Sequence, residues 1–144
     1  MFRFINVGHI PSGVLSVRFF EASYSVDVEA AGAAPYFPTP SAVIERHWHR
    51  TSISTIPAAS FTDYRLDVPA LTAEGINTGH QMVQVGVIWS YNDGFSDTPV
   101  REQRICLRSV YDIKSKATVF SQRDPIKDLN DLIAAVGYPQ NEEK

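Results

Sequence analysis

The sequence predicts a mainly β domain, an antiparallel β-sandwich carrying one short C-terminal α-helix. Three observations predict it. Apolar and polar residues alternate along most of the chain, the spacing that puts every second side chain of a strand on one face. Clusters of Gly, Pro, Asn and Asp separate these stretches, and the absence of strand–helix alternation argues against a doubly wound nucleotide-binding fold. Only 124–137 changes to helical spacing. Strand patterns do not distinguish the two ways of closing a sheet, so a barrel is the alternative closure.

The opening segment, Met1 to Gly8, reads as a first strand. In Val14 to Phe20, the residues Leu15, Val17 and Phe19 share one face and Ser16 and Arg18 the other; in Tyr24 to Ala30, Tyr24, Val26, Val28 and Ala30 oppose Ser25, Asp27 and Glu29. Both are expected to be half-buried strands with one wet side. Residues 30–40 hold Pro35, Pro38 and Pro40, which prevent a helix and favour extended backbone. Ala42 to Ile56 is a long extended stretch closed by Pro57, and Tyr64 to Val68 alternates briefly before Pro69.

Gln81 to Tyr91 is the strongest strand pattern, with Val83, Val85, Val87, Trp89 and Tyr91 along one face. Its other face is mixed, which places it centrally in a sheet, and Gly86 predicts a bulge or the close approach of a large neighbour. The turn-rich segment 91–99 leads into a strand over Val100 to Asp112, so the two form a hairpin. Thr118 to Phe120 is a last short strand. In the helical segment Asp124 suits the N-cap, Pro125 the first helical position and Gly137 the C-terminal cap, with Ile126, Leu129, Leu132, Ile133 and Val136 as the apolar stripe. The organisation is one domain: 1–122 as the sandwich, 123–137 as a helix packed on it, and 138–144 as a polar tail.

The length of 144 residues suits one core, and 44% apolar residues suffice to build it. Thirteen Lys and Arg against 16 Asp and Glu leave a net charge of −3, so nothing electrostatic recommends a nucleic-acid partner. The single Cys106 excludes an internal disulfide framework and a Cys-rich zinc site. No run of apolar residues is long enough for a spanning helix, and the first residues lack the pattern of a signal peptide, so a soluble, cytoplasmic protein away from membranes is expected.

Two stretches carry a resemblance. Phe4-Ile5-Asn6-Val7-Gly8-His9-Ile10-Pro11 is similar to the opening of immunoglobulin-like β-sandwich domains found in uncharacterised bacterial proteins, many of them membrane-anchored. Val85-Gly86-Val87-Ile88, followed by Tyr91-Asn92-Asp93-Gly94-Phe95 and Arg104-Ile105-Cys106, looks like the late hairpin of such domains. Together they cover under a quarter of the chain, and the order Asp93-Gly94-Phe95 departs from that pattern. The resemblance implies an Ig-like sandwich used for binding or assembly, and it supplies no catalytic residues.

Glu45-Arg46-His47-Trp48-His49 is the most suggestive stretch for chemistry. In an extended strand Glu45, His47 and His49 share one face, and two imidazoles at that spacing converge on a zinc-type ion if another strand adds a ligand, with His80 or His9 as candidates. The competing expectation is a solvated polar face opposite a core-facing Ile44 and Trp48. No Gly-x-Ser-x-Gly elbow occurs, Cys106 sits between apolar neighbours where a thiol is inert, and Asp63, Asp67, Asp93 and Asp97 lie where carboxylates cap turns. Gly75 and Gly79 stand in a polar loop without phosphate-loop spacing.

Trp89 and Tyr91 read mainly as core. Tyr36 and Phe37 in the proline-rich loop, and Tyr91, Asn92, Asp93 and Phe95 at the hairpin tip, are the candidate binding residues. The function expected is a non-enzymatic binding or assembly module without a cofactor, its protein or small-molecule partner unspecified. The alternative is a metal-dependent hydrolase or lyase using His47, His49 and Glu45. A homodimer is expected through the helix stripe or an edge strand.

Overall fold

The computed structural model describes residues 2–8, 12–26, 42–68, 71–92, 99–112, 115–122 and 124–137. They form strands β1 (Phe2–Asn6), β2 (Leu15–Ser25), β3 (Ala42–Ile53) and β4 (Ser60–Tyr64), helix α1 (Ala73–Thr78), strands β5 (Gln81–Tyr91), β6 (Arg101–Asp112) and β7 (Ala117–Ser121), and helix α2 (Pro125–Ala135). Two antiparallel sheets result. One has five strands in the order β3-β2-β5-β6-β7, and the other is the two-stranded ribbon β1-β4. The chain is therefore mainly β, but its second sheet is only a ribbon. The five-stranded sheet is open, with β3 and β7 at its two ends, so the barrel is corrected.

β2 and β5 lie side by side inside the large sheet, and each is buried on both faces. On one face Leu15, Val17 and Phe19 of β2 and Val83, Val85 and Val87 of β5 pack with Phe4, Ile53 and Ile56. On the other, Phe20, Ala22, Ile88 and Cys106 pack against Leu129, Leu132 and Ile133 of α2. The molecule thus has three layers, ribbon, sheet and helix, around two apolar cores. This corrects, from Arg18 onward, the wet face expected for the segment beginning at Val14, while Ser16 is exposed as expected. β2 also runs unbroken to Ser25, with one register irregularity at Ser23/Tyr24. Even Arg18 is only 7% exposed, its Nη2 lying 3.2 Å from Glu102 Oε2, and Glu102 also accepts from Arg104 Nε at 2.8 Å.

The hairpin of β5 and β6 has the expected antiparallel register, from Gln84 opposite Arg108 to Tyr91 opposite Arg101. Gly86 marks a close approach: a Cβ there would stand 2.5 Å from Leu129 Cδ1. The missing side chain lets α2 settle onto β5. Asp124 caps α2, its Oδ1 accepting from Lys127 N at 3.1 Å, with Pro125 following and Gly137 beyond the C-cap at φ +73°. The apolar stripe of α2 is consumed within the chain, apart from Ile126 at 76% exposure, so it gives no reason for a dimer.

The Gly75/Gly79 segment is a one-and-a-half-turn helix, where a loop was expected. Thr72 caps α1 by accepting from Gly75 N at 2.9 Å. Six residues are too few for helical periodicity to show. The alternation at Tyr64 to Val68 belongs to the end of β4 and a non-strand segment after it. No helix among the described residues is long and apolar enough to cross a membrane. The proline-rich stretch and 138–144 lie outside the described residues.

Candidate functional site

Two places on the ribbon-covered face of the large sheet hold groups with chemical potential. The first is the β3 column. Register sets Glu45 opposite Ser23, His47 opposite Glu21 and His49 opposite Phe19. All three lie on the ribbon-side face of the sheet, where Tyr64 of β4 reaches His49, while His47 is half-exposed and Glu45 exposed. The His49 ring stacks on Phe19 with centroids 5.1 Å apart, and Tyr64 stacks on the same Phe19 at 4.7 Å. The Tyr64 hydroxyl lies 3.3 Å from His49 Nε2, within hydrogen-bond reach. Burial first, and the neighbouring His47 second, hold the His49 pKa below its ordinary value.

His47 turns to a different partner. Its Nε2 contacts Oε1 of Glu21, a carboxyl only 1% exposed, and Oε2 of Glu21 has no hydrogen-bond partner among the described residues. Burial, and then the charge of Glu45, push the Glu21 pKa up to about 7. The two rings that a shared metal ion would need are therefore committed separately, one to an aromatic stack and one to a buried acid. His80 is at the far end of β2, its carbonyl accepting from Val26 N at 2.8 Å and its Nδ1 lying 2.8 Å from Thr78 Oγ1. His9 lies outside the described residues. Among the described residues no group of three or more His, Cys, Asp or Glu is placed to hold a metal ion. Ile44 is exposed and does not serve as core, whereas Trp48 packs on the helix-side core.

The second place is concave. A cleft of about 390 Å³ runs along β1, bounded by Phe2 through Gly8 on one side and floored by Val87, Trp89 and Ile105, with Tyr91, Arg101 and Gln103 at one end. A second cleft of about 350 Å³ opens on the same sheet face at the other side of Phe2, floored by Val83, Val85 and Leu107 and reaching Phe120. Both volumes fall in the range of ligand sites. β4 contributes nothing to the first cleft, which therefore lies on the side of β1 turned away from its ribbon partner. Among the described residues β1 pairs with β4 alone, so its other edge presents backbone N–H and C=O groups toward the cleft.

The aromatic wall is built by packing. Phe4 meets Trp89 edge-on, with centroids 5.7 Å apart, and Phe2 tilts against Phe19 at the same distance. The inward Phe2 and Phe4 alternate with the outward Arg3 and Ile5, and Arg3 forms a two-point pair with Asp63 at 2.8 and 3.0 Å. Ile5, 62% exposed, and Val7, 88% exposed, leave the rim apolar. At the far end Gln103 Nε2 donates to Tyr91 Oη at 3.1 Å.

Of the candidate binding residues, Tyr91 lines this cleft while packing on the core, and the Asn92 carbonyl accepts from Gly13 N at 2.8 Å. Tyr36, Phe37, Asp93 and Phe95 lie outside the described residues. Sequence reasoning did not place Phe4, Arg101 or Gln103 among the binding residues, reading Arg101 as part of a basic stripe that pairs with carboxylates or decorates a wet sheet face. A usable signal was present in Phe2-Arg3-Phe4-Ile5-Asn6-Val7, whose apolar residues fall on both faces of one short strand. Cys106 is buried as expected, and burial, the largest cause, pushes its thiol up to about 11. Comparison with protein families, with curated proteins and with solved structures finds no match.

Proposed function

We propose that this chain is a non-catalytic binding module that takes up an extended apolar peptide in the cleft beside β1, adding it as a strand to the β1 edge. One observation carries the reading: the whole of β1 borders an apolar, aromatic-walled cleft on the side where it has no strand partner among the described residues. An added strand gains main-chain hydrogen bonds from β1, while alternate side chains descend onto Val87, Trp89 and Ile105. The Ig-like resemblance points the same way, toward binding or assembly, and the unpaired Cys106 suits a cytoplasmic address. The Glu21–His47 pair is less suited to chemistry on a ligand, because neither cleft is lined by it and Glu21 is sealed from solvent.

Selection from a phage-displayed library of random decapeptides tests the proposal. Amide shift changes on adding a selected peptide are expected at Phe4, Ile5, Trp89 and Ile105. N-methylation of alternate peptide nitrogens should abolish binding, because it removes the donors of a ladder. Gln103→Trp should fill the cleft and block binding at an unchanged melting temperature. Peptides that map to other surfaces, or that tolerate alternate N-methylation in both registers, would overturn strand addition at β1.

A further inference from the structure

We infer that the end of the β1 cleft at Arg101 and Tyr91 is a carboxylate subsite, so that the peptide bound there carries an acidic side chain at that end. The inference rests on the strand-addition reading and adds a chemical requirement to it. Arg101 opens β6 directly opposite Tyr91, and both line the cleft. Arg3, the other arginine lining the cleft, is paired with Asp63, and the arginines Arg18 and Arg104 on the opposite face of the sheet share Glu102. Arg101 has no such partner among the described residues. It is exposed at the mouth of an apolar cleft.

The neighbouring hydroxyl adds a second donor. Gln103 Nε2 donates to Tyr91 Oη, which occupies the oxygen as an acceptor. The Tyr91 O–H proton has no acceptor among the described residues, so the tyrosine is left to donate. A guanidinium and a phenol O–H at one end of a cleft offer complementary hydrogen bonds to the two oxygens of a carboxylate, and charge-assisted bonds of this kind are the stronger ones. A neutral or basic side chain at that end would leave the cation unmatched. An acidic side chain is the source chosen, because strand addition along β1 lets the peptide continue past the cleft in both directions.

The same decapeptide library supplies the test, followed by synthetic peptides with acetylated and amidated ends. Selected peptides should share Glu or Asp at one position, and replacing it by Gln or Asn should weaken binding about tenfold. Arg101→Ala should cause a similar loss and Tyr91→Phe a smaller one, while Arg101→Glu should turn the selection toward Lys or Arg at that position. Peptides that Gln103→Trp excludes, but that lack an acidic residue or bind Arg101→Glu equally well, would overturn the subsite and leave strand addition standing. Peptides without internal acids that bind only as free C-terminal acids would overturn the side-chain source. Failure to select any peptide that Gln103→Trp excludes would overturn the strand-addition reading itself, and the subsite with it.

Discussion

The buried carboxyl of Glu21 lies against Nε2 of His47, joining the interior strand β2 to the sheet-edge strand β3 on the ribbon-side face of the sheet. A protonated Glu21 can donate to the imidazole, whereas an ionised one keeps an unmatched charge in a nearly dry layer. The pair makes the ribbon-side core sensitive to pH in the neutral range.

A carboxyl whose pKa is raised by folding still holds a proton that the unfolded chain has released. Stability should therefore fall as pH rises from about 4.5 through about 7, and flatten above that. The full difference is on the order of 3 kcal/mol. Urea unfolding between pH 4.5 and 8 measures it. Glu21→Gln should flatten the profile, and a slope that survives the substitution would assign the titration to other groups.

Gly86 is the contact point of sheet and helix, so a larger residue there must lift α2. Gly86→Val is expected to cost about 1–3 kcal/mol, because Leu129 and Leu132 are fully packed and can move little. Thermal melts check this. A neutral result would mean that α2 docks more loosely than its burial indicates.

Leu129 belongs to the helix-side core. Leu129→Ala should cost about 2–5 kcal/mol, and Leu129→Asp should unfold the chain, not convert a dimer to a folded monomer. Light scattering together with circular dichroism separates these outcomes, since a folded monomeric Leu129→Asp would restore the helix as an interface.

His47 and His49 have separate partners, so neither is poised to share an ion. Protein purified without a His-tag should contain substoichiometric zinc, and added zinc should leave the melting temperature unchanged. One equivalent of zinc, lost in the His47→Ala/His49→Ala double variant, would place a metal there after all.

Much of the fold was legible because its signals are local. Alternation along Gln81 to Tyr91, the turn residues after it and the strand that follows specify a hairpin without outside help. Asp124, Pro125 and Gly137 mark α2 within a residue or two of its observed ends. α1 was not legible, since one and a half turns carry too few apolar positions to reveal a period. The two-sided burial of β2 was misjudged at Arg18, while Ser16 is exposed as expected. A polar residue on a strand looks the same in sequence whether water or Glu102 receives it.

By itself, the sequence determined that this chain is built mainly of antiparallel strands with a capped helix near its end, because side-chain periodicity and backbone preferences act over a few residues. Only the tertiary structure decided that the second sheet is a two-stranded ribbon, that α2 covers the opposite face, and that Glu21 meets His47. It also decided that β1 keeps one edge beside an aromatic cleft. Those outcomes depend on which strands become neighbours across tens of residues, and pairing between strands distant in sequence leaves no local trace in composition or period. The candidate site lies where two such pairings end.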